Sequence, residues 1–244
     1  MTTALLLAAG NATRLGDIRQ QYAKANVPVA DTTALRFALD ALRAARVRRV
    51  WINLHYKADQ VREQAMRYAG DLEVNFLYED KLLGTGGTLL EVYQRDFRLP
   101  QIMLNAKIFG DFNLRTMLDA APGSLMLHPK TDVRNFGGLY YAPNMQIEGL
   151  ALKGSTRTTN QQCAVFTGIC NPHQLWLDKL IHARKQQPNE LLCLIRNGIL
   201  PAIEQDSTHA NAVLHSGDWC EISTTERVAA AEKWLIAQAS ARIT

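Results

Sequence analysis

Leu7-Ala8-Ala9-Gly10-Asn11-Ala12-Thr13-Arg14-Leu15 begins inside the apolar run Ala4 to Ala9. That run carries no polar side chain, so it reads as a strand buried on both faces, as in parallel sheets covered by helices. The residues after it form a loop of small side chains ending in a guanidinium. At the carboxyl edge of a parallel sheet, small residues let backbone amides approach a phosphate, and a nearby Arg can bond it bidentately. Only Gly10 and Gly16 are glycines, so this is no G-x-G-x-x-G fingerprint, and no Gly-Lys-Ser/Thr follows to make a P-loop. A plain structural turn fits the same residues.

Outward from this loop, apolar runs alternate with helical patterns. Ala34 to Leu42 has the spacing of an amphipathic helix, with Asp31 or Thr32 as its cap. Val50 to Leu54 is the next strand, Ala58 to Tyr68 the next helix, and Glu73 to Tyr78 a third strand. A Gly-rich turn and a helix through Leu89, Leu90 and Val92 lead to a fourth strand, Ile102 to Leu104. This rhythm means βαβ units and an α/β fold, a mostly parallel sheet flanked by helices. The second half is less regular. Ser124 to His128, Gly138 to Tyr141 and Ala164 to Cys170 read as strands, and Leu175 to Ala183 and Glu190 to Asn197 as helices, the last stopped by Gly198. Ser223-Thr224-Thr225-Glu226 reads as a capping box opening a final helix.

Composition narrows the class. The chain has 244 residues, 47% hydrophobic and 20% charged, which is globular and long enough for a sizeable core. A net charge of +4 does not call for a nucleic-acid partner. The basic cluster Arg43, Arg46, Arg48, Arg49 lacks an aromatic platform and reads as a solvated face. No apolar run spans a bilayer or follows a basic leader, so no membrane association is expected. Cys163, Cys170, Cys193 and Cys220 have no C-x-x-C spacing and read as buried thiols of a reducing cytoplasm. His55, like the other histidines, lacks a catalytic context and reads as structural.

Two further segments are candidates for chemistry. Lys24, in Tyr22-Ala23-Lys24-Ala25-Asn26-Val27-Pro28, follows the first loop closely enough to reach the same anion as a point charge. Leu82-Leu83-Gly84-Thr85-Gly86-Gly87-Thr88 lies between a strand and a helix, where glycines allow a ligand to approach a helix N-terminus. A tight turn requiring positive φ is the alternative.

Together the three elements resemble the nucleotide-sugar pyrophosphorylases, or sugar-1-phosphate nucleotidyltransferases. That family's signature is Leu-Ala-Ala-Gly-x-Gly-Thr-Arg-Leu/Met, then Pro-Lys-x-Leu-x-Pro, then a Leu-Gly-Thr-x-Gly loop. Asn53-Leu54-His55-Tyr56 with Asp59-Gln60-Val61 resembles the branch that includes N-acetylmuramate-1-phosphate uridylyltransferase and mannose-1-phosphate guanylyltransferase-like proteins. Trp219-Cys220-Glu221-Ile222-Ser223-Thr224-Thr225-Glu226-Arg227 is similar to that branch's closing Trp-x-Asp-Val-Gly-Thr-x-Glu-Arg.

The resemblance implies a Rossmann-like nucleotidyltransferase fold. It implies one domain over residues 1–244, with a nucleotide-binding half (1–115) and a sugar-binding half with a closing helix (116–244). The implied partners are a nucleoside triphosphate and a sugar-1-phosphate, with magnesium as cofactor. Ala9, Gly10, Asn11, Ala12 and Thr13 with Arg14 would hold the triphosphate, and Lys24 would neutralise charge at the α-phosphate. Gly84, Thr85, Gly86 and Gly87 would line the nucleoside. Asn105, Thr167 and Gly168 fall at positions near the metal and sugar.

Three positions depart from the pattern. Ala12 puts a methyl where the second loop glycine would stand. Asn105-Ala106-Lys107 replaces an Asn-Gly-Asp whose Asp binds magnesium, so Lys107 stands at the metal position. Glu221 replaces the second metal Asp, and Asp111 would serve as a ligand only if the backbone bends there. A Lys supplies no ligand oxygen and repels the ion. The sequence therefore supports two expectations: a nucleotidyltransferase whose magnesium binding is weak or absent and whose activity is low or absent with common sugar-1-phosphates, or an impaired paralogue that binds nucleotide or sugar phosphate in a regulatory or partner role.

Overall fold

The computed structural model describes residues 1–154 and 162–241. Its strands are β1 (Thr3–Leu7), β2 (Pro28–Val29), β3 (Thr32–Thr33), β4 (Arg49–Leu54), β5 (Glu73–Tyr78), β6 (Ile102–Asn105) and β7 (Ile108–Gly110). They continue with β8 (Ser124–His128), β9 (Gly138–Tyr141), β10 (Ile147–Ala151), β11 (Gln162–Cys170), β12 (Asn211–Leu214) and β13 (Trp219–Glu221). The helices are α1 (Ile18–Gln21), α2 (Ala34–Ala44), α3 (Ala58–Tyr68), α4 (Gly84–Asp96) and α5 (Leu114–Asp119). After them come α6 (Val133–Phe136), α7 (Gln174–Gln186), α8 (Leu200–Gln205) and α9 (Thr225–Ala241).

The chain forms two compact units, each made of separate segments. One comprises Met1–Lys81, Asn105–Asn113 and Gly217–Thr244, the other Leu82–Leu104 and Leu114–Ser216. The expected division at residue 115 cuts across both.

In the first unit β1, β4 and β5 are parallel, with Leu6 beside Ile52 and Ile52 beside Phe76. β1 is buried over Thr3 to Leu6, which is why its sequence lacks alternation. α2 buries Ala34, Leu35, Ala38, Leu39 and Leu42, one stripe at helical spacing. Its cap is neither Asp31 nor Thr32 but Thr33, whose hydroxyl accepts from the Arg36 amide. Asp31 and Thr32 lie too early because β2 and β3 pair there and hold the chain extended up to Thr33.

A short ribbon closes this unit: β13 runs antiparallel to β7, with Glu221 opposite Ile108. Sequence periodicity does not reveal three-residue strands, and neither was expected. The ribbon buries Phe109 and Ile222 in a cluster with Ala12, Leu15, Val27, Val29, Ala34 and Ala231, and the Phe109 and Phe37 ring centroids are 5.1 Å apart.

The second unit has a mixed sheet. β11 is antiparallel to β6, β8 and β9, and β8 is parallel to β12. The mixed α/β class is as expected. Gly198 does not end a helix: Leu194–Ile199 is a π-helical turn that runs directly into α8. A Cβ on Gly198 would lie 3.3 Å from Leu180 Cγ, so the glycine serves close packing on α7 instead. Among the described residues, no helix is long and apolar enough to cross a membrane, and the four cysteines are free, two buried and two half-buried.

Phe109 is fully buried. Phe109→Ala should therefore lower the unfolding free energy by about 3–5 kcal/mol. Urea denaturation checks this, and a loss under about 1 kcal/mol would show that the ribbon does not anchor the cluster.

Candidate active site

Asn53, the penultimate residue of β4, shapes the loop after β1. Its Oδ1 accepts from the Ala8 amide at 2.7 Å and the Ala9 amide at 3.3 Å, while its Nδ2 donates to Glu79 Oε1 at 2.8 Å. The Ala9 amide, expected at the phosphate, is thus engaged by Asn53. From Gly10 to Arg14 the amides have no acceptor among the described residues. Successive unpaired amides around a left-handed residue, here Ala12 at φ 54°, make an anion-binding concavity. The Ala12 methyl does not obstruct it. It is buried against Leu15 and Phe109, so it contributes apolar contact that offsets the ~1 kcal/mol cost of a left-handed Ala.

Lys24 opens a 3₁₀ turn, Lys24–Asn26. Gln60 on α3 holds that turn, its Oε1 accepting from the Ala23 amide and its carbonyl from Asn26 Nδ2, both at 2.7 Å. The Tyr56 hydroxyl donates to the Arg19 carbonyl at 2.9 Å just upstream. The Lys24 side chain passes over Gly10, with Nζ 3.9 Å from where a Cβ would stand. Neither Arg14 nor Lys24 has a hydrogen-bond partner among the described residues. Burial pushes the Lys24 ammonium down to about 8, helped by the positive charges of Lys107 and Arg14, with Glu221 opposing.

Lys107 follows β6 and meets Glu221: Nζ donates to Oε2 at 2.6 Å. The other carboxylate oxygen, Oε1, accepts from the Ser223 hydroxyl at 2.8 Å and from Arg227 Nη1. Arg227 also donates to Ser223 Oγ at 2.8 Å. Burial would raise the Glu221 carboxyl, but Lys107, Ser223 and Arg227 outweigh it and hold Glu221 below its ordinary range, hence ionised. Ser223 and Arg227 were not among the expected site residues. The capping-box reading had assigned Ser223 to the helix end, but Thr224 caps α9 instead, accepting from the Arg227 amide at 3.4 Å. The Ser223 hydroxyl instead donates to the Glu221 carboxylate while its oxygen accepts from the Arg227 guanidinium.

Magnesium does not fit these donors. It requires near-octahedral oxygen ligation, and both Glu221 oxygens already serve cations and a hydroxyl. Among the described residues, no three His, Cys, Asp or Glu side chains cluster as metal ligands. Asp111 lies beyond the opposite end of the ribbon, where its Oδ1 accepts from the Asp218 amide at 2.7 Å. Asn105 ends β6, half-buried.

In the second unit the glycine loop is helix rather than turn, since α4 starts at Gly84 itself. The Gly86 and Gly87 amides donate to the Leu192 carbonyl at 2.8 and 3.2 Å, and Thr85 Oγ1 accepts from the Leu194 amide at 2.9 Å. A Cβ on Gly84 would lie 2.5 Å from the Leu192 carbonyl oxygen, and one on Gly86 the same distance from Leu180 Cδ2. Thr167 is buried, donating to the Met126 carbonyl at 2.9 Å, and Gly168 takes φ 91° where the β11–β8 register shifts.

Comparison with known proteins gives likenesses in both sequence and fold. Residues 4–98 match the family described as a MobA-like NTP transferase domain. A D-glycero-alpha-D-manno-heptose 1-phosphate guanylyltransferase of Campylobacter jejuni is 23% identical over 167 residues, 68% of this chain and 73% of the relative. Among solved structures, HddC from Yersinia pseudotuberculosis superposes with a TM-score of 0.73 at 18% identity, covering 96% of this chain and all of that one. The CTP:phosphocholine cytidylyltransferase LicC of Streptococcus pneumoniae gives a TM-score of 0.76 at 16% identity, with the same coverage. The fold is that of these solved structures, and residues 4–98 match a nucleotidyltransferase family model.

Two predictions follow from this geometry. Gly84 has φ 78° and no room for a Cβ, so Gly84→Ala should destabilise by about 2 kcal/mol or more. A neutral outcome in denaturant melts would refute the packing role. The charged Lys24 is penalised in the folded state at every pH below about 8, a penalty that fades as pH rises toward its ordinary 10.5. Lys24→Met should accordingly be more stable than the natural protein at pH 7, with the gap closing by pH 10. A gap independent of pH would contradict it.

Proposed function

We propose that the protein binds a nucleoside triphosphate on the Gly10–Arg14 loop and Lys24. On this reading it transfers the nucleotidyl group to a sugar-1-phosphate or similar phosphorylated acceptor. The observation that carries the proposal is a row of unpaired amides beside two cations, Arg14 and Lys24, that have no partner among the described residues. Free amides and unpaired cations together are the complement of a polyphosphate.

In the transfer, an acceptor phosphate oxygen bonds to the α-phosphorus while the bond to the bridging oxygen breaks. Pyrophosphate leaves with that electron pair. The protein's part is positioning and charge neutralisation rather than covalent chemistry. The proposed roles are triphosphate binding for Gly10 to Arg14 and α-phosphate neutralisation for Lys24. Asn105, in the same unit as that loop, is proposed on the acceptor side. Gly84 to Gly87 belong to the second unit, where the Gly86 and Gly87 amides are already bonded to the Leu192 carbonyl. The relatives' names pair guanylyl transfer with heptose 1-phosphate and cytidylyl transfer with phosphocholine. Both base and acceptor therefore need a panel.

A second reading is a paralogue that binds nucleotide or sugar phosphate without transfer, acting on a partner. The Lys107–Glu221 pair favours it, because the carboxylate left at the expected metal position is fully engaged. Titrating GTP, CTP, UTP and dTTP, alongside pyrophosphate release with phosphorylated acceptors, separates the two. Binding with release supports transfer, whereas binding without release supports the second reading. Arg14→Ala and Lys24→Ala should each weaken binding by about 10- to 100-fold, through loss of charge-assisted bonds. Unchanged affinity in both variants would overturn the site.

A further inference from the structure

We infer that Lys107, clamped by Glu221, stands in for a divalent cation, so that the site takes a triphosphate-bearing ligand as the free anion without magnesium. The inference rests on the phosphate reading above and adds to it what neutralises the ligand's charge.

The first support is the state of Glu221. Its Oε2 accepts from Lys107 and its Oε1 from Ser223 and Arg227. For a metal ion to use either oxygen, one of these bonds must break, and the ion would then sit against an ammonium or a guanidinium. A buried carboxylate that loses a paired cation is heavily penalised. The exchange is therefore unfavourable twice over.

A second support is how Lys107 is held. An ammonium has three N–H donors and no acceptor. Glu221 takes one, and among the described residues no other acceptor is present. The remaining donors are available to an anion. Ser223 and Arg227 fix the carboxylate from behind, which makes Glu221 a positioning residue for Lys107. Lys107 and Arg14 both act electrostatically on Lys24, which is more than half-buried and has no hydrogen-bond partner among the described residues. Lys107 and Arg227 bond Glu221, while Lys24 lies within the electrostatic reach of Lys107 and Arg14, so positive charge exceeds negative in a partly desolvated place. A free polyphosphate relieves that repulsion more completely than one whose charge magnesium has already reduced.

The test titrates the full-length protein calorimetrically with inorganic triphosphate and with each of the four nucleoside triphosphates. Each titration is run once in EDTA and once in millimolar magnesium chloride. Binding in EDTA at least as tight as in magnesium is expected. Lys107→Met, which keeps the length and removes the charge, should weaken binding in EDTA by about tenfold or more. Lys107→Asp should reverse the preference and bind more tightly with magnesium. Because the natural protein alone gives the EDTA-to-magnesium comparison, a variant that fails to fold does not remove the test. Binding seen only with magnesium, or unchanged EDTA affinity in Lys107→Met, would overturn the inference and leave the phosphate site standing. No binding in either buffer would overturn the phosphate site as well.

Discussion

One buried carboxylate organises the first unit. Glu221 is almost fully enclosed, and an isolated ionised carboxylate there would be strongly disfavoured. It stays ionised because Lys107 comes from the end of β6, Ser223 from the turn after β13, and Arg227 from the first turn of α9. Each donor ties a different piece of chain to the same two oxygens. The ribbon of β7 and β13, the start of α9 and the loop carrying Lys107 are consequently fixed as one object. The apolar cluster around Phe109 and Ile222 lies in the same unit. Pairs of this kind add little net stability compared with apolar packing. Their effect is to fix geometry, and here they fix an ammonium.

How much of this was legible depends on the range of the interaction that decides each feature. The βαβ rhythm is written in local periodicity, so β1, α2, β4, α3 and β5 fall where the apolar spacing puts them. Lys107 was visible as a departure because the segment around it keeps its register with the family pattern. Its partner was not readable as a partner, since the bond joins residues 114 apart in sequence. Ser223 shows the converse error. Its local context matches a capping box, yet its hydroxyl donates to Glu221 and its oxygen accepts from the Arg227 side chain, while Thr224 caps the helix. Ala12 looked like an obstruction because a loop motif records residue size but not the direction in which the Cβ points.

The two glycine-bearing loops show why composition alone does not locate a ligand. Both follow strands and present small residues, and both looked suited to a close backbone approach. In the loop after β1, Asn53 takes up the amides of Ala8 and Ala9, and those of Gly10 to Arg14 have no acceptor among the described residues. In the loop opening α4, the Leu192 carbonyl accepts from both Gly86 and Gly87, and the missing side chains leave room for that segment and for Leu180. Glycine there permits protein to approach protein, while at Gly10 it leaves space beside the Lys24 ammonium, which has no hydrogen-bond partner among the described residues. What separates a binding loop from a packing loop is whether the chain has already used its own donors. That accounting requires the partner segment, which for α4 arrives about a hundred residues later, carried by Leu192 and Leu194.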